Sequence, residues 1–152
     1  MWYRVFGLQR DEVSPSKLAE HLHAQGLRVE PHFRGDDLGW TNVQLVLPGD
    51  GTPVSVDRYL TDVDEMRDEL NAFAALLETM NYSPNNTKLM EHVIRTQQFI
   101  AYRKPLDHAD EATLETLCEV LGKYLASNTE GILQIDGLGW FAADGERLIE
   151  EH

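Results

Sequence analysis

Two five-residue segments a hundred positions apart, Asp36-Asp37-Leu38-Gly39-Trp40 and Asp136-Gly137-Leu138-Gly139-Trp140, agree at four of their five residues. Asp suits a tight turn because its carboxylate accepts from neighbouring backbone, and Gly reaches positive φ without a Cβ clash. Each segment therefore reads as a hairpin corner. Leu38 and Leu138 are expected to fold back as small plugs, and Trp40 and Trp140 to open the return strands, each ring covering the end of the helix in its own unit.

The flanking sequence supplies the elements those corners connect. Trp2 to Gly7 alternates large apolar with other residues and reads as a strand. Ser14 followed by Pro15 starts a helix with Leu18, Ala19 and Leu22 on its apolar stripe and Gly26 as its C′ residue. Residues 27–33 and 40–47 read as the strands of the first hairpin, Pro48-Gly49-Asp50-Gly51 as a turn, and residues 53–60 as a third antiparallel strand. Thr61 or Asp62 is expected to cap a helix whose stripe is Met66, Leu70, Phe73, Ala74 and Leu77, and a shorter helix follows over residues 88–95. Residues 99–103 restart as a strand. A helix from Asp110 carries Leu114, Leu117, Cys118, Leu121 and Leu125, and residues 132–136 and 140–143 make the second hairpin, with residues 147–149 after the Gly145 turn.

The order strand, helix, strand, corner, strand thus occurs twice, which suggests an internal duplication. The expected fold is α+β: an antiparallel sheet with helices packed on one face, built from a tandem βαββ pseudo-repeat. Units of about 1–60 and 96–152 would be joined by a helical segment, about 61–95, within a single domain spanning 1–152. One continuous sheet is preferred to two units packed about a two-fold axis.

At 152 residues the chain is long enough to bury a sizeable core without staples. Its one cysteine excludes an intramolecular disulfide, and the opening residues lack the basic and apolar regions of a signal peptide, so a cytoplasmic location is expected. The formal net charge is −13, and residues 106–152 hold eleven acids against two bases. Such a surface repels phosphate backbones and anionic lipid, so nucleic-acid and membrane binding are not expected, and a protein partner with a basic surface is favoured.

Catalytic and metal motifs are absent from the sequence: it has no HExxH, CxxC, EF-hand loop, Gly-x-Ser-x-Gly elbow or phosphate-cradling glycine loop. Cys118 falls on an apolar helical stripe, where it reads as core rather than as a nucleophile. The histidines read as exposed. No metal or other cofactor is expected. Candidate ligand contacts are Asp36, Asp37, Trp40, Asp136 and Trp140, if the two corners line one cleft, together with Arg58 and Arg67 at a strand-to-helix junction. At that junction cap and ion-pair contacts, Asp64 with Arg67 among them, are the preferred reading.

Three functional readings follow. The first is a non-enzymatic module that binds a protein partner through an acidic face and exposed sheet surface. The second is a small-ligand binder or enzyme with its site between the two corners. The third is a structural or assembly subunit, a homo-oligomer.

Overall fold

The computed structural model describes residues 1–49, 51–108 and 110–152. Asp50, in the expected Pro48–Gly51 turn, lies outside the described residues. Twelve elements follow in chain order: β1 (Trp2–Gly7), α1 (Pro15–Ala24), β2 (Glu30–Asp36), β3 (Gly39–Val46), β4 (Val54–Leu60), α2 (Arg67–Thr79), α3 (Asn86–Ile94), β5 (Gln98–Arg103), α4 (Glu111–Ser127), β6 (Gly131–Ile135), β7 (Gly139–Phe141) and β8 (Arg147–Glu150). The strands form one sheet in the order β2-β3-β4-β5-β1-β6-β7-β8, with every neighbouring pair antiparallel. The α+β class and the continuous antiparallel sheet are as expected.

Period-two alternation divides the core between the two faces of that sheet. On the first face Tyr3, Val5, Ile100 and Tyr102 pack beneath α1 and α4 with Leu18, Leu22, Leu117 and Leu121. On the second, Phe6, Phe99 and Ile132 pack beneath α2 and α3 with Leu70, Leu77, Leu89 and Val93. The expectation of helices on one face is corrected: one pair covers each face. Strand β5 shows why, since a strand covered on both sides needs consecutive apolar residues, and Phe99-Ile100-Ala101-Tyr102 supplies them.

Helix α1 starts as expected, with the Ser14 hydroxyl accepting from the Lys17 amide, and Gly26 follows it at φ 80°. Asp110 caps α4 by accepting from the Thr113 amide at 3.1 Å. Midway along α4, a Cβ on Gly122 would strike the Tyr102 hydroxyl and Leu133, so this glycine lets the helix sit low enough for Tyr102 to donate to the Cys118 carbonyl at 2.7 Å.

Helix α2 begins later than expected. Thr61 and Asp62 do not cap it: the Thr61 hydroxyl donates to the Thr96 carbonyl, Asp62 pairs with Arg10, and Glu65 turns the chain at φ 53° before Met66. Helix α3 starts two residues before the expected position, and β2 begins at Glu30 rather than residue 27.

The topology does not confirm the duplication. The crossover through α1 carries the chain from β1 past β5, β4 and β3 to the outer edge, whereas the crossover through α4 passes only β1 to reach β6. The two meanders then run in opposite senses, the first inward toward β5 and the second outward to β8.

Phe6 ties the second core together, with its ring 5.3 Å from Phe73, 5.1 Å from Phe99 and 5.2 Å from Trp140. Phe6→Ala is expected to cost about 3–5 kcal/mol, read as a lower urea midpoint at unchanged m-value. His92 is half-buried rather than exposed, its Nε2 at 2.7 Å from the Phe6 carbonyl. Burial lowers its pKa, reinforced by Arg95 and opposed by the Phe6 hydrogen bond. The unfolded chain then takes up the proton first, so stability is full above the unperturbed value of 6.5 and falls as pH drops through the lower folded value. Acid titration followed by circular dichroism is expected to show this loss in the native chain and not in His92→Gln.

Candidate functional site

The two corners do not share a cleft. The first lies beyond the Gly7 end of β1, where the Trp40 amide donates to Glu12 at 2.6 Å and its indole N–H to the Val13 carbonyl at 2.9 Å, at the foot of α1. The second lies at the other end of β1, where Asp136 accepts from the Trp2 amide at 3.2 Å. Three strands separate β3 from β6, a lateral distance of about 19 Å. Trp40 covers the start of the helix in its own unit, as expected. Trp140 instead packs on Phe6 and Phe73, on the opposite face from α4.

A one-residue difference in the turns explains the opposed rings. In the first corner Asp36 pairs with Gly39 around Asp37 and Leu38, and Trp40 pairs with Gly35. In the second, Ile135 pairs with Gly139 around three residues, so Trp140 pairs with Gln134. Paired residues share a face, and a shift of one residue exchanges faces. Leu38 and Leu138 are exposed rather than plugged in.

The remaining expected site residues are dispersed. Asp36 is exposed and accepts from the Leu38 amide at 2.8 Å, and Asp37 is exposed in the same turn. Arg67 is exposed and donates to the Ile94 carbonyl at 3.0 Å, linking α2 to α3 instead of pairing with Asp64, which accepts from the Leu60 amide. Arg58 is 4% exposed, and four of its five N–H groups are engaged in the interior. Its Nε donates to Gln98 at 2.7 Å, its Nη1 to the Trp40 and Leu38 carbonyls, and its Nη2 to the Arg10 carbonyl. Gln98 donates in turn to the carbonyls of Gln9 and Asp11. Burial lowers the Arg58 pKa, against the attraction of Glu12. This arginine fastens the segment before α1 to the first corner and has no free face for a ligand.

The strand registers bring a different set of residues together. On the face beneath α2 and α3, the row Tyr59, Phe99, Phe6, Ile132 is apolar and lies under the helices. Two residues along the strands, the next row reads Asn42, Asp57, Ala101, Arg4, Gln134. Beyond it Trp2 lies opposite Arg103. The helical cover ends at Phe73, and a polar band crosses the sheet from β3 to β6.

Within this band the hydrogen bonds are dense. Asn42 donates to Asp57 at 2.9 Å and to Ser55 at 3.0 Å, and Gln44 donates to Asn42 and Ser55. Arg4 donates through Nη1 to Asp136 at 2.6 Å and Gln134 at 2.8 Å, and Gln134 reaches Glu151 at 2.9 Å. Burial pushes the Asp136 carboxyl up, but hydrogen bonds from Arg4 and Gln134 and the Arg4 charge outweigh it, holding the group below its ordinary range. The Arg4 guanidinium lies 5.2 Å from the Phe73 ring and 5.8 Å from Trp2, and Arg103 lies 5.6 Å from the same indole.

Trp2 thus stands between two guanidinium groups, 37% exposed while the other two tryptophans are buried. A cleft of about 240 Å³ opens on its Arg103 side, lined by Ser55, Asp57 and Pro105. A larger cleft of about 550 Å³ opens beyond Arg4, lined by Phe73, Tyr82, Asp136 and Glu151. Among the described residues no group of three His, Cys, Asp or Glu side chains is placed to hold a metal ion. Cys118 is buried in the first core, with its thiol pushed up to about 12 by burial. Among those residues, no helix is long and apolar enough to cross a membrane.

Comparison with protein-family models, curated proteins and solved structures finds no match for the chain.

Removing Arg58 strands three carbonyls and Gln98 in the interior. Arg58→Ala is expected to destabilise the fold by about 3 kcal/mol or more, whereas Arg67→Ala, which loses one exposed hydrogen bond, is expected to cost less than about 1 kcal/mol. Chemical denaturation of the two variants separates them.

Proposed function

We propose that the chain is a non-enzymatic binding module whose recognition surface lies at the margin of the polar band, where Trp2 and Arg103 are exposed and Arg4 and Asp57 partly so, while Asn42, Ala101 and Gln134 are buried. The observation that carries this reading is the exposed indole near the guanidinium groups of Arg4 and Arg103, with one cleft at the indole itself and a second beyond Arg4. Tryptophan, tyrosine and arginine are the residues that most often dominate the energetics of protein interfaces, because they bring large rigid area and several donors at low entropic cost.

The surrounding polarity indicates the partner's chemistry. Asp57 lines the cleft at the indole, Asp136 and Glu151 line the cleft beyond Arg4, and the chain as a whole carries −13. A protein segment that lays an apolar side chain against Trp2 and extends basic groups toward these carboxylates fits both clefts. Arg4 spends only Nη1 on its neighbours among the described residues, which leaves donors for a backbone carbonyl of the bound segment.

Affinity capture with chemical cross-linking is expected to recover one protein partner, and Trp2→Ala to weaken its binding at least tenfold while leaving the circular dichroism spectrum unchanged. Because Trp40 and Trp140 are buried, the partner is expected to shift tryptophan emission in the native chain and not in Trp2→Phe. Recovery of a tightly bound small metabolite with no protein partner defeats the reading.

A further inference from the structure

The two edges of the sheet are finished differently. At β8 the outward carbonyls are closed by side chains from the segment between α2 and α3: Tyr82 donates to the Glu150 carbonyl at 2.8 Å, and Asn85 to the Leu148 carbonyl at 2.9 Å. At β2 no such cover exists among the described residues. This strand has seven residues and is regular, because the bulge beside it places its extra residue, Thr41, in β3. The Thr41 hydroxyl donates to the Arg34 carbonyl, which therefore faces β3. Alternation then turns the backbone groups of Pro31, Phe33 and Gly35 outward, and a proline on an edge strand belongs with its nitrogen on that side.

We infer that β2 is the self-association edge of this protein, pairing antiparallel with β2 of a second copy about a two-fold axis at His32. The charge pattern of the strand selects both the occupant and the register. Arg28, Glu30, His32, Arg34 and Asp36 are all exposed, and the four within β2 share one face, with His32 and Glu30 3.4 Å apart. With His32 opposite itself, Glu30 meets Arg34 and Arg28 meets Asp36, and the two-fold axis repeats both pairs. Moving the axis to Phe33 sets Glu30 against Asp36 and His32 against Arg34. Moving it to Pro31 sets Arg28 against Arg34, and moving it to Arg34 sets that residue against itself. Of these four registers only the one at His32 avoids opposing like charges, which are destabilising directly across a strand pair, and it pairs more of the strand than an axis at either end.

In that register the charged residues occupy the non-hydrogen-bonded pairs, whose Cα atoms approach to about 4.5 Å and whose side chains lie closest. Pro31 removes one donor per copy from the new ladder, so the association is reversible rather than permanent. A chain of −13 repels its own kind at most surfaces. The strip from Arg28 to Asp36 carries two bases and two acids, and it is a place where two copies meet without that penalty. The pairing is independent of the Trp2 surface. Because His32 lies opposite Gln44 and Arg34 opposite Asn42, it would join the two polar bands into one face.

Sedimentation equilibrium on the native chain, Arg34→Glu, Glu30→Arg and the double swap tests this directly, since both side chains are exposed and neither supports the core. The native chain is expected to dimerise with concentration, each single variant to raise the dissociation constant about tenfold or more, and the double swap to recover most of that loss. As a second measurement, mild oxidation is expected to link His32→Cys to itself faster than Arg34→Cys, because Cys118 is buried and residue 34 faces residue 30. A native chain that stays monomeric at millimolar concentration, single variants that dimerise unchanged, a double swap no better than the singles, or equal linking by the two cysteines overturns the inference.

Discussion

Strand β1 makes one sheet of the chain. It pairs along its length with β5 on one side and with β6 on the other, and among the described residues these ladders are the only strand pairing that joins the β2-β3-β4-β5 half to the β6-β7-β8 half. Its side chains do the same across the thickness of the molecule: Val5 enters the core beneath α1 and α4, and Phe6 enters the core beneath α2 and α3. Both cores and the Trp2 surface take their position from this strand, since Trp2 and Arg4 continue the face that Phe6 begins.

The buried polar groups show how the first corner is held. A guanidinium in the interior is costly unless its donors are met, and Arg58 meets four acceptors there. Through Gln98 it also binds the carbonyls of Gln9 and Asp11, so a segment with no regular structure is fixed by side-chain donors where a ladder would otherwise be needed. What the corners share is a glycine at positive φ before the tryptophan, 108° at Gly39 and 133° at Gly139, whereas their aspartates differ: Asp36 accepts from the amide of Leu38 in its own turn and Asp136 from that of Trp2 on β1.

Much of the fold was legible in the sequence, because caps and stripes are local signals. Ser14-Pro15 and Asp110 mark α1 and α4, and each strand was anticipated to within a few residues. Layering was misread because residues 99–103 were read only as a strand, whereas their continuous apolar run is the pattern of a strand covered on both sides. The start of α2 was misread because Thr61 and Asp62 find partners across the sheet that no local pattern records. Of the candidate ligand residues, Asp136 alone borders the Trp2 surface, and Asp36 lies at the end of the β2 edge. Trp2 and Arg4 were seen only as strand residues, although a tryptophan alternating onto the more polar side of a strand was a signal available from the start. The cross-strand rows depend on register between segments about a hundred residues apart, which propensity does not encode.

The long separation between β1 and its partners also bears on how the chain comes to be folded. Trp2 pairs with Arg103 and Tyr3 with Ile135, so the middle of the sheet closes only by bringing together residues far apart along the chain. During synthesis the β2-β3-β4 meander can form from near neighbours, while Tyr3, Val5 and Phe6 emerge early and wait for strands not yet made. A nascent chain of this design exposes a six-residue strand with large apolar residues on both faces, interrupted only by Arg4, until its second half appears. Its hazard is greatest during translation, when the segment that finally lies deepest in the molecule is the one longest without a partner.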